Sequence, residues 1–158
     1  MFRIGFGFDT HRLELGRELW LGGILVPHEK GAVGHSDGDV LIHAVVDSLL
    51  GAAGLPDIGN QFPDHADEFK GIDSKILLAR TMEMILDQGY NIGNIDSTIV
   101  LQRPKISTHI PAMIKALAAI MNIGESQLSI KAKTSENIGF IGREEGISAY
   151  AVALLQKE

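Results

Sequence analysis

The sequence predicts an α+β fold in which a mixed four-stranded sheet is covered on one face by helices. Two observations lead to this prediction. Short apolar runs of the kind found in strands are interspersed with longer stretches whose apolar residues recur at helical spacing. The 158 residues, 45% of them hydrophobic and 22% charged, also suit one compact domain over 1–158.

The strands are predicted from apolar runs that end at turn residues. Gly mixes with Ile and Phe over 2–8, which is typical of a strand whose glycines leave room for close packing or for a bulge. A short strand is expected over 19–26, because Pro27 follows it. Three more strands are predicted over 92–101, 129–133 and 147–155.

Three stretches have an apolar stripe at helical spacing. The first begins near Ser36, and Ser36 with Asp39 forms a predicted capping pair. The other two helices are predicted over 73–88 and 107–122. Between the first two helices, residues 51–68 are rich in Gly, Pro, Asp and Asn. This composition predicts a long loop, and long loops in compact domains are usually functional.

Composition and charge exclude several classes of function. A net charge of -6 argues against nonspecific nucleic-acid binding, which needs a basic face. The chain has no apolar stretch of about 18 residues and does not begin like a secretion signal, so no membrane association is expected. Because there are no cysteines, any metal must be bound by His, Asp or Glu. A reducing compartment, the cytoplasm, is the expected location.

Asp9, His11 and His43 are a candidate metal site. Asp9 and His11 are two residues apart at the end of the first predicted strand, so both side chains leave the same face. His43 can join them if the next helix points at that strand end. Three N/O ligands leave one tetrahedral position open, as in catalytic zinc sites. On spacing alone, the alternative is a turn-forming aspartate beside a partly buried histidine.

Four polar residues flank this candidate site in the sequence. Asp39 and Asp47 lie four residues before and after His43, so either could accept the second imidazole N–H; the alternative is that both are solvated helix charges. His35 and Ser36 come just before the helix, where backbone N–H groups and the helix dipole favour an anion such as phosphate.

Longer motifs carry a resemblance to a known family. They are HSDGDVLIHA at 35–44, DIGNQFPD at 57–64, RIGFGFDTH at 3–11 and the segment 131–143, with EKG at 29–31 and PK at 104–105. In these motifs the sequence resembles the 2-C-methyl-D-erythritol 2,4-cyclodiphosphate synthases of the non-mevalonate isoprenoid pathway.

The resemblance implies an activity and its metal ions. The expected reaction is a metal-assisted intramolecular phosphoryl transfer that closes the cyclic diphosphate and releases CMP from 4-diphosphocytidyl-2-C-methyl-D-erythritol 2-phosphate. It implies Zn²⁺ or another divalent metal at Asp9, His11 and His43, and a second divalent ion such as Mg²⁺ or Mn²⁺ at Glu136. Two alternatives are a zinc-dependent phosphohydrolase, in which water is the nucleophile, and a nucleotide-binding trimer without turnover.

The resemblance also implies the residues that contact substrate. His35 and Thr134 would be catalytic, because they would donate hydrogen bonds to the transition state from opposite sides. The full set implied in substrate binding is Asp9, His11, His35, Ser36, Asp57, Ile58, Gly59, Phe62, Pro63, Asp64, His65, Ala66, Leu101, Pro104, Lys105, Ser107, Lys133, Thr134, Ser135, Glu136, Phe140 and Arg143.

Five residues in the segments expected to contact the nucleotide differ from the family pattern: Leu101, Arg103, Lys133, Ser135 and Ile141. Lys133 could pair with a substrate phosphate or point to solvent. Members of the family are homotrimers with active sites between subunits, and some bind an isoprenoid diphosphate in a central cavity. The uncovered face of the predicted sheet independently suggests self-association.

Overall fold

The computed structural model describes residues 1–63, 66–69 and 71–157. The strands are β1 (Phe2–Leu15), β2 (Leu19–Leu21), β3 (Ile24–Val26), β4 (Lys30–Val33), β5 (Asn91–Val100), β6 (Leu128–Lys133) and β7 (Gly146–Gln156). The helices are α1 (Val40–Ala53), α2 (Ile58–Gln61), α3 (Ser74–Asp87), α4 (Ile110–Met121) and α5 (Gly139–Gly142). Short 3-10 turns lie at Asp67–Phe69, Ser107–His109 and Glu125–Gln127.

The main sheet has five strands in the order β4-β1-β7-β5-β6, so the predicted number of four is wrong. β5 and β6 are parallel and the other pairs are antiparallel, which makes the sheet mixed, as expected. The additional strand is β4, which pairs with the far end of β1 from Arg12 opposite Val33 to Leu15 opposite Lys30. Its sequence, KGAV, is too short and too rich in small residues to predict a strand.

A separate two-stranded ribbon replaces the single strand predicted over 19–26. β2 and β3 pair antiparallel, with Leu19 opposite Val26. The chain reverses at Gly22 and Gly23, whose φ angles of 60° and 77° lie in the left-handed region that glycine adopts at little cost. The two glycines therefore divide the apolar run into a hairpin.

The helices lie on one face of the sheet, as predicted. α1 packs on β1 and β7, α3 packs on α1, and α4 packs on α3 and β6. Two glycines of β1 allow α1 to come very close. A Cβ on Gly5 would stand 1.9 Å from the carbonyl oxygen of Ser48, and one on Gly7 would stand 1.9 Å from that of Ala44. The expected close packing of this strand is confirmed, and it sets the height of α1 over the sheet.

The opposite face of the sheet is apolar and exposed. On β1 it carries Phe2, Ile4, Phe6 and Phe8, which are 71, 72, 64 and 47% exposed. Tyr150 and Val152 of β7 extend the same surface, and the Phe8 and Tyr150 rings are 5.1 Å apart. An apolar surface of this extent is typical of a contact with another protein chain.

The start of α1 differs from the predicted capping pair. Asp39 alone is the N-cap, because its carboxylate accepts from the backbone N–H of Ile42, whereas Ser36 faces His43. The helices predicted over 73–88 and 107–122 are confirmed as α3 and as a 3-10 turn leading into α4. Among the described residues, no helix combines the length and the apolar character needed to cross a membrane.

Candidate metal and phosphate site

The row of β1 residues beneath α1 continues from the two glycines into polar side chains. Gly5 and Gly7 are followed at the same alternation by Asp9 and His11, which therefore face α1. Both residues lie within β1, which continues to Leu15, and not at its end as predicted. His43 lies in the first turn of α1, next to Ala44, whose carbonyl stands over Gly7. The close approach of helix and strand thus places the imidazole above the Asp9 carboxylate.

Three ligand atoms converge at this point. Asp9 Oδ2 is 2.9 Å from His11 Nε2 and 2.9 Å from His43 Nδ1, and the two nitrogens are 3.1 Å apart. In a tetrahedral zinc site with bonds of about 2.0–2.1 Å, ligand atoms stand about 3.3 Å apart. A small outward movement of the side chains would therefore fit them to an ion, so the donor set suits a divalent metal.

The electrostatics of the group also favour a cation. Burial by itself would raise the pKa of Asp9, but hydrogen bonds and charge from His11 and His43 outweigh it and hold that pKa well below its usual range. Burial by itself would lower the pKa of His43, but the Asp9 carboxylate raises it overall. The ionised carboxylate thus holds positive charge beside it, and a metal ion would replace a proton there.

Asp39 and Asp47 were predicted either to accept from the His43 imidazole or to be solvated helix charges, and neither prediction is correct. Asp39 is buried and accepts from the backbone N–H groups of Gly22 and Gly23, at 3.0 and 2.7 Å, so it ties the β2–β3 turn to the start of α1. Burial raises the pKa of Asp39. Asp47 accepts from the backbone N–H of Ile58 at 2.8 Å and so anchors α2. These carboxylates position backbone segments, not the imidazole.

The second nitrogen of His43 meets two hydroxyl groups. Its Nε2 is 2.9 Å from Ser74 Oγ and 3.1 Å from Ser36 Oγ. Ser74 Oγ donates in turn to Asp37 Oδ1 at 2.5 Å. Neither Asp37 nor Ser74 was predicted in this role from the sequence. Asp37 belongs to the 35–44 motif, but no spacing rule connects Ser74 with a histidine 31 residues earlier.

A cavity of about 410 Å³ opens over the three candidate metal ligands. Its lining includes the three candidate metal ligands and five further predicted substrate-binding residues: His35, Ser36, Ile58, Gly59 and Phe62. Asp57 caps α2 by accepting from the backbone N–H of Asn60 at 2.9 Å. Pro63 and Ala66 follow α2 in the chain, whereas the predicted Asp64 and His65 lie outside the described residues.

The predicted nucleotide-binding residues are elsewhere in the chain. Leu101, Pro104, Lys105, Ser107, Lys133 and Thr134 line a second cavity of about 200 Å³. Over the described residues, the two cavities have no lining residue in common. Within one chain, the predicted site is therefore divided into a metal end and a nucleotide end, and the structure does not bring the two together.

The remaining predicted residues of the nucleotide end are held by neighbours. Thr134 Oγ1 donates to Glu136 at 3.1 Å, and Ser135 Oγ donates to the carbonyl of Ile138 at 2.8 Å. Arg143 forms two hydrogen bonds with Glu145, and Phe140 is 41% exposed. Glu136 is not part of the metal cluster of this chain among the residues described.

Arg103, which departs from the family pattern, links two segments of the nucleotide end. Its guanidinium makes a bidentate pair with Glu144, at 2.7 and 3.1 Å. This pair joins the 101–107 segment to the loop that follows α5. It raises the pKa of Arg103 and lowers that of Glu144.

Comparison with known proteins identifies the family. The model of the YgbB family matches residues 2–156, and the chain belongs to this family. The 2-C-methyl-D-erythritol 2,4-cyclodiphosphate synthase of Bacteroides fragilis is 61% identical over 155 residues, which cover 98% of each chain. The synthase of the same name from Porphyromonas gingivalis is 60% identical over 154 residues, covering 98% of this chain and 95% of that one.

Solved structures with the same fold include nucleotide complexes. IspF from Plasmodium falciparum, in complex with CDP, superposes with a TM-score of 0.88 at 38% identity, covering 99% of this chain and 97% of that chain. Another 2-C-methyl-D-erythritol 2,4-cyclodiphosphate synthase, in a CDP-bound form, superposes with a TM-score of 0.91 at 38% identity, covering 98% and 100%. These comparisons confirm the predicted family and α+β fold.

Proposed function

We propose that the chain converts 4-diphosphocytidyl-2-C-methyl-D-erythritol 2-phosphate into 2-C-methyl-D-erythritol 2,4-cyclodiphosphate and CMP. The observation that carries the proposal is the convergence of Asp9, His11 and His43 on the floor of a cavity. It occurs in a chain that is 61% identical to a synthase of this name. The relatives favour a synthase over a zinc-dependent phosphohydrolase.

The metal end would hold zinc or another divalent ion through Asp9 Oδ2, His11 Nε2 and His43 Nδ1. Such an ion, when bound, supplies positive charge that polarises and orients substrate phosphate. An ion held by only three protein side chains would remain able to accept an oxygen of that phosphate. His35 and Ser36 line the same cavity and would donate hydrogen bonds to its oxygens.

The reaction needs little from the protein beyond positioning and charge. An oxygen of the 2-phosphate bonds to the β-phosphorus of the CDP group, the bond from that phosphorus to the bridging oxygen breaks, and CMP leaves with the oxygen. A phosphate with a second pKa of about 6 is largely ionised at neutral pH, so no strong general base is required. Residues that align the phosphates and neutralise their charge carry the catalysis.

The nucleotide end would bind the cytidine and its diphosphate. Leu101, Pro104, Lys105 and Ser107 would contact the nucleotide, together with Lys133, Ser135, Phe140 and Arg143. Glu136 would hold a second divalent ion, Mg²⁺ or Mn²⁺, whose charge would offset that of the substrate diphosphate. Thr134 would donate to the transition state opposite His35. The methylerythritol part would meet Asp57, Ile58, Gly59 and Phe62, and the predicted contacts at 63–66 complete this set.

A complete site would form between subunits of a homotrimer. Two observations support this: the metal and nucleotide ends occupy separate cavities of one chain, and the sheet exposes an apolar face. If the nucleotide end of each subunit contacts the metal end of the next subunit, the same contact can repeat around a closed ring. An isoprenoid diphosphate in the central cavity and a cytoplasmic location stay predictions of the sequence.

Phosphorus NMR of the incubated substrate tests the activity. The zinc-loaded protein is expected to produce CMP and the cyclic diphosphate, and the metal-free protein is expected to produce neither. A linear phosphate product would instead indicate the phosphohydrolase. Unchanged substrate with fully metal-loaded protein would indicate a binding protein without turnover.

A further inference from the structure

A chain of hydrogen bonds lies behind His43, on the side away from the metal ligands. It runs from His43 Nε2 to Ser74 Oγ over 2.9 Å and from Ser74 Oγ to Asp37 Oδ1 over 2.5 Å. Ser74 is fully buried at the start of α3, so this contact is shielded from water. The chain connects the imidazole on α1 to a different helix and to the loop that precedes α1.

The donors and acceptors of this chain determine which imidazole nitrogen carries the proton. A carboxylate only accepts, so Ser74 Oγ must donate its single proton to Asp37. Ser74 Oγ can then only accept from His43, which requires a proton on Nε2. Nδ1 faces Asp9 and His11, and its lone pair would bind a metal ion once that ion replaces the hydrogen bond from Nδ1 to Asp9.

The carboxylate of Asp37 is itself fixed on both oxygens. Its Oδ1 also accepts from the backbone N–H of Asp39 at 3.1 Å, and its Oδ2 accepts from the backbone N–H of Ser74 at 2.9 Å. The backbone N–H of Asp37 donates to the carbonyl of Ile72 at 3.2 Å. Asp37 is therefore locked against both helix starts and cannot turn to offer a different group to Ser74.

The same arrangement affects Ser36. Its hydroxyl is 3.1 Å from the same Nε2, and could donate to it only if that nitrogen had no proton. With the proton fixed on Nε2 by Ser74, the Ser36 hydroxyl proton is available to an acceptor in the cavity. Two serines that contact the same atom thus have different tasks: Ser74 directs the imidazole, and Ser36 faces the cavity.

We infer that Asp37 and Ser74 form a positioning pair that holds His43 in the tautomer and orientation able to bind a metal ion through Nδ1. This inference rests on the metal site of the proposed function. Hydrogen-bond partners of this kind typically change metal affinity about 10–100-fold when removed. Neither residue lines the cavity over the candidate metal ligands, so both act through His43.

The test compares zinc affinity, by chelator competition, in the unmodified protein and in Ser74→Ala and Ser36→Ala. Each variant removes one hydroxyl from the same imidazole nitrogen. Ser74→Ala is expected to weaken zinc binding about 10–100-fold. Ser36→Ala is expected to keep the zinc affinity while losing affinity for inorganic phosphate. Equal zinc affinity in Ser74→Ala and the unmodified protein would overturn the inference and leave the metal site standing.

Asp37→Asn provides a second variant should Ser74→Ala fail to fold. Both oxygens of Asp37 accept hydrogen bonds, so an amide NH₂ would face a donor in either orientation. The zinc affinity of Asp37→Asn is expected to decrease by about 10–100-fold, as in Ser74→Ala. An unchanged zinc affinity would contradict the inference. Failure of the unmodified protein to bind zinc would overturn the metal site itself.

Long-range ¹H–¹⁵N NMR gives a readout independent of affinity. In zinc-loaded protein, the Nε2–H of His43 is expected to exchange slowly with water, because it donates to the buried Ser74 Oγ. Ser74→Ala is expected to speed this exchange, because the imidazole then loses that acceptor. An unchanged exchange rate in Ser74→Ala would contradict the assignment.

Discussion

The metal end and the nucleotide end of this chain are built in different ways. The metal end is enclosed: Asp9, His11 and His43 contact one another, and His43 is only 9% exposed. At the nucleotide end, side chains such as those of Arg143 and Glu136 are exposed and pair with residues of their own loop. This difference is expected if one chain preorganises the proposed metal site by itself and the proposed nucleotide site requires a second subunit.

The largest effect is expected from His43→Ala. The change removes one of three metal ligands, so zinc content should fall and activity should drop by at least about 10³-fold. Metal analysis and turnover assays measure both. His109→Ala is the matched control, because His109 lies in the turn before α4 and its side chain caps nothing there. Equal zinc in the two variants would contradict the metal-site assignment.

Phe6→Asp should disrupt the contact between subunits and leave the metal end of each chain intact. Phe6 is 64% exposed in the middle of the apolar sheet face, and a carboxylate there would be desolvated in a subunit contact. Sedimentation should show a monomer that retains zinc but loses most activity.

Glu83→Asp is its control, since Glu83 lies on an exposed face of α3 and should leave the assembly unchanged. A Phe6→Asp protein that stays fully active as a monomer would show that one chain suffices for catalysis.

A smaller effect is expected from Thr134→Ala. Loss of one hydrogen bond to the transition state should lower kcat about 10²–10³-fold, with zinc content unchanged. Thr134→Ser should restore most of the rate, because the hydroxyl is kept, and Thr108→Ala, in the neighbouring 3-10 turn, should have little effect. A drop in zinc content in Thr134→Ala would mean that the two ends are not separate.

Much of the metal end could be predicted from the sequence. Asp9 and His11 share a strand face because of their spacing, and the motif around His43 indicates the third candidate ligand. The Ser74 contact could not be predicted, because it depends on how α3 packs on α1. β4 was missed because four residues of low strand propensity become a strand only through pairing with β1. The separation of the metal end from the nucleotide end could not be predicted either, because sequence motifs do not give the distance between two segments in the folded chain.

Complementation of two inactive variants tests the central claim that the site forms between chains. His43→Ala lacks a metal end and Thr134→Ala lacks a nucleotide end. In a closed ring assembled from an equal mixture, about one quarter of the contacts would join an intact metal end to an intact nucleotide end.

Co-assembled protein is therefore expected to recover about one quarter of the unmodified activity. Activity no higher than the average of the two variants would contradict the account, because it would mean that each site is built from a single chain.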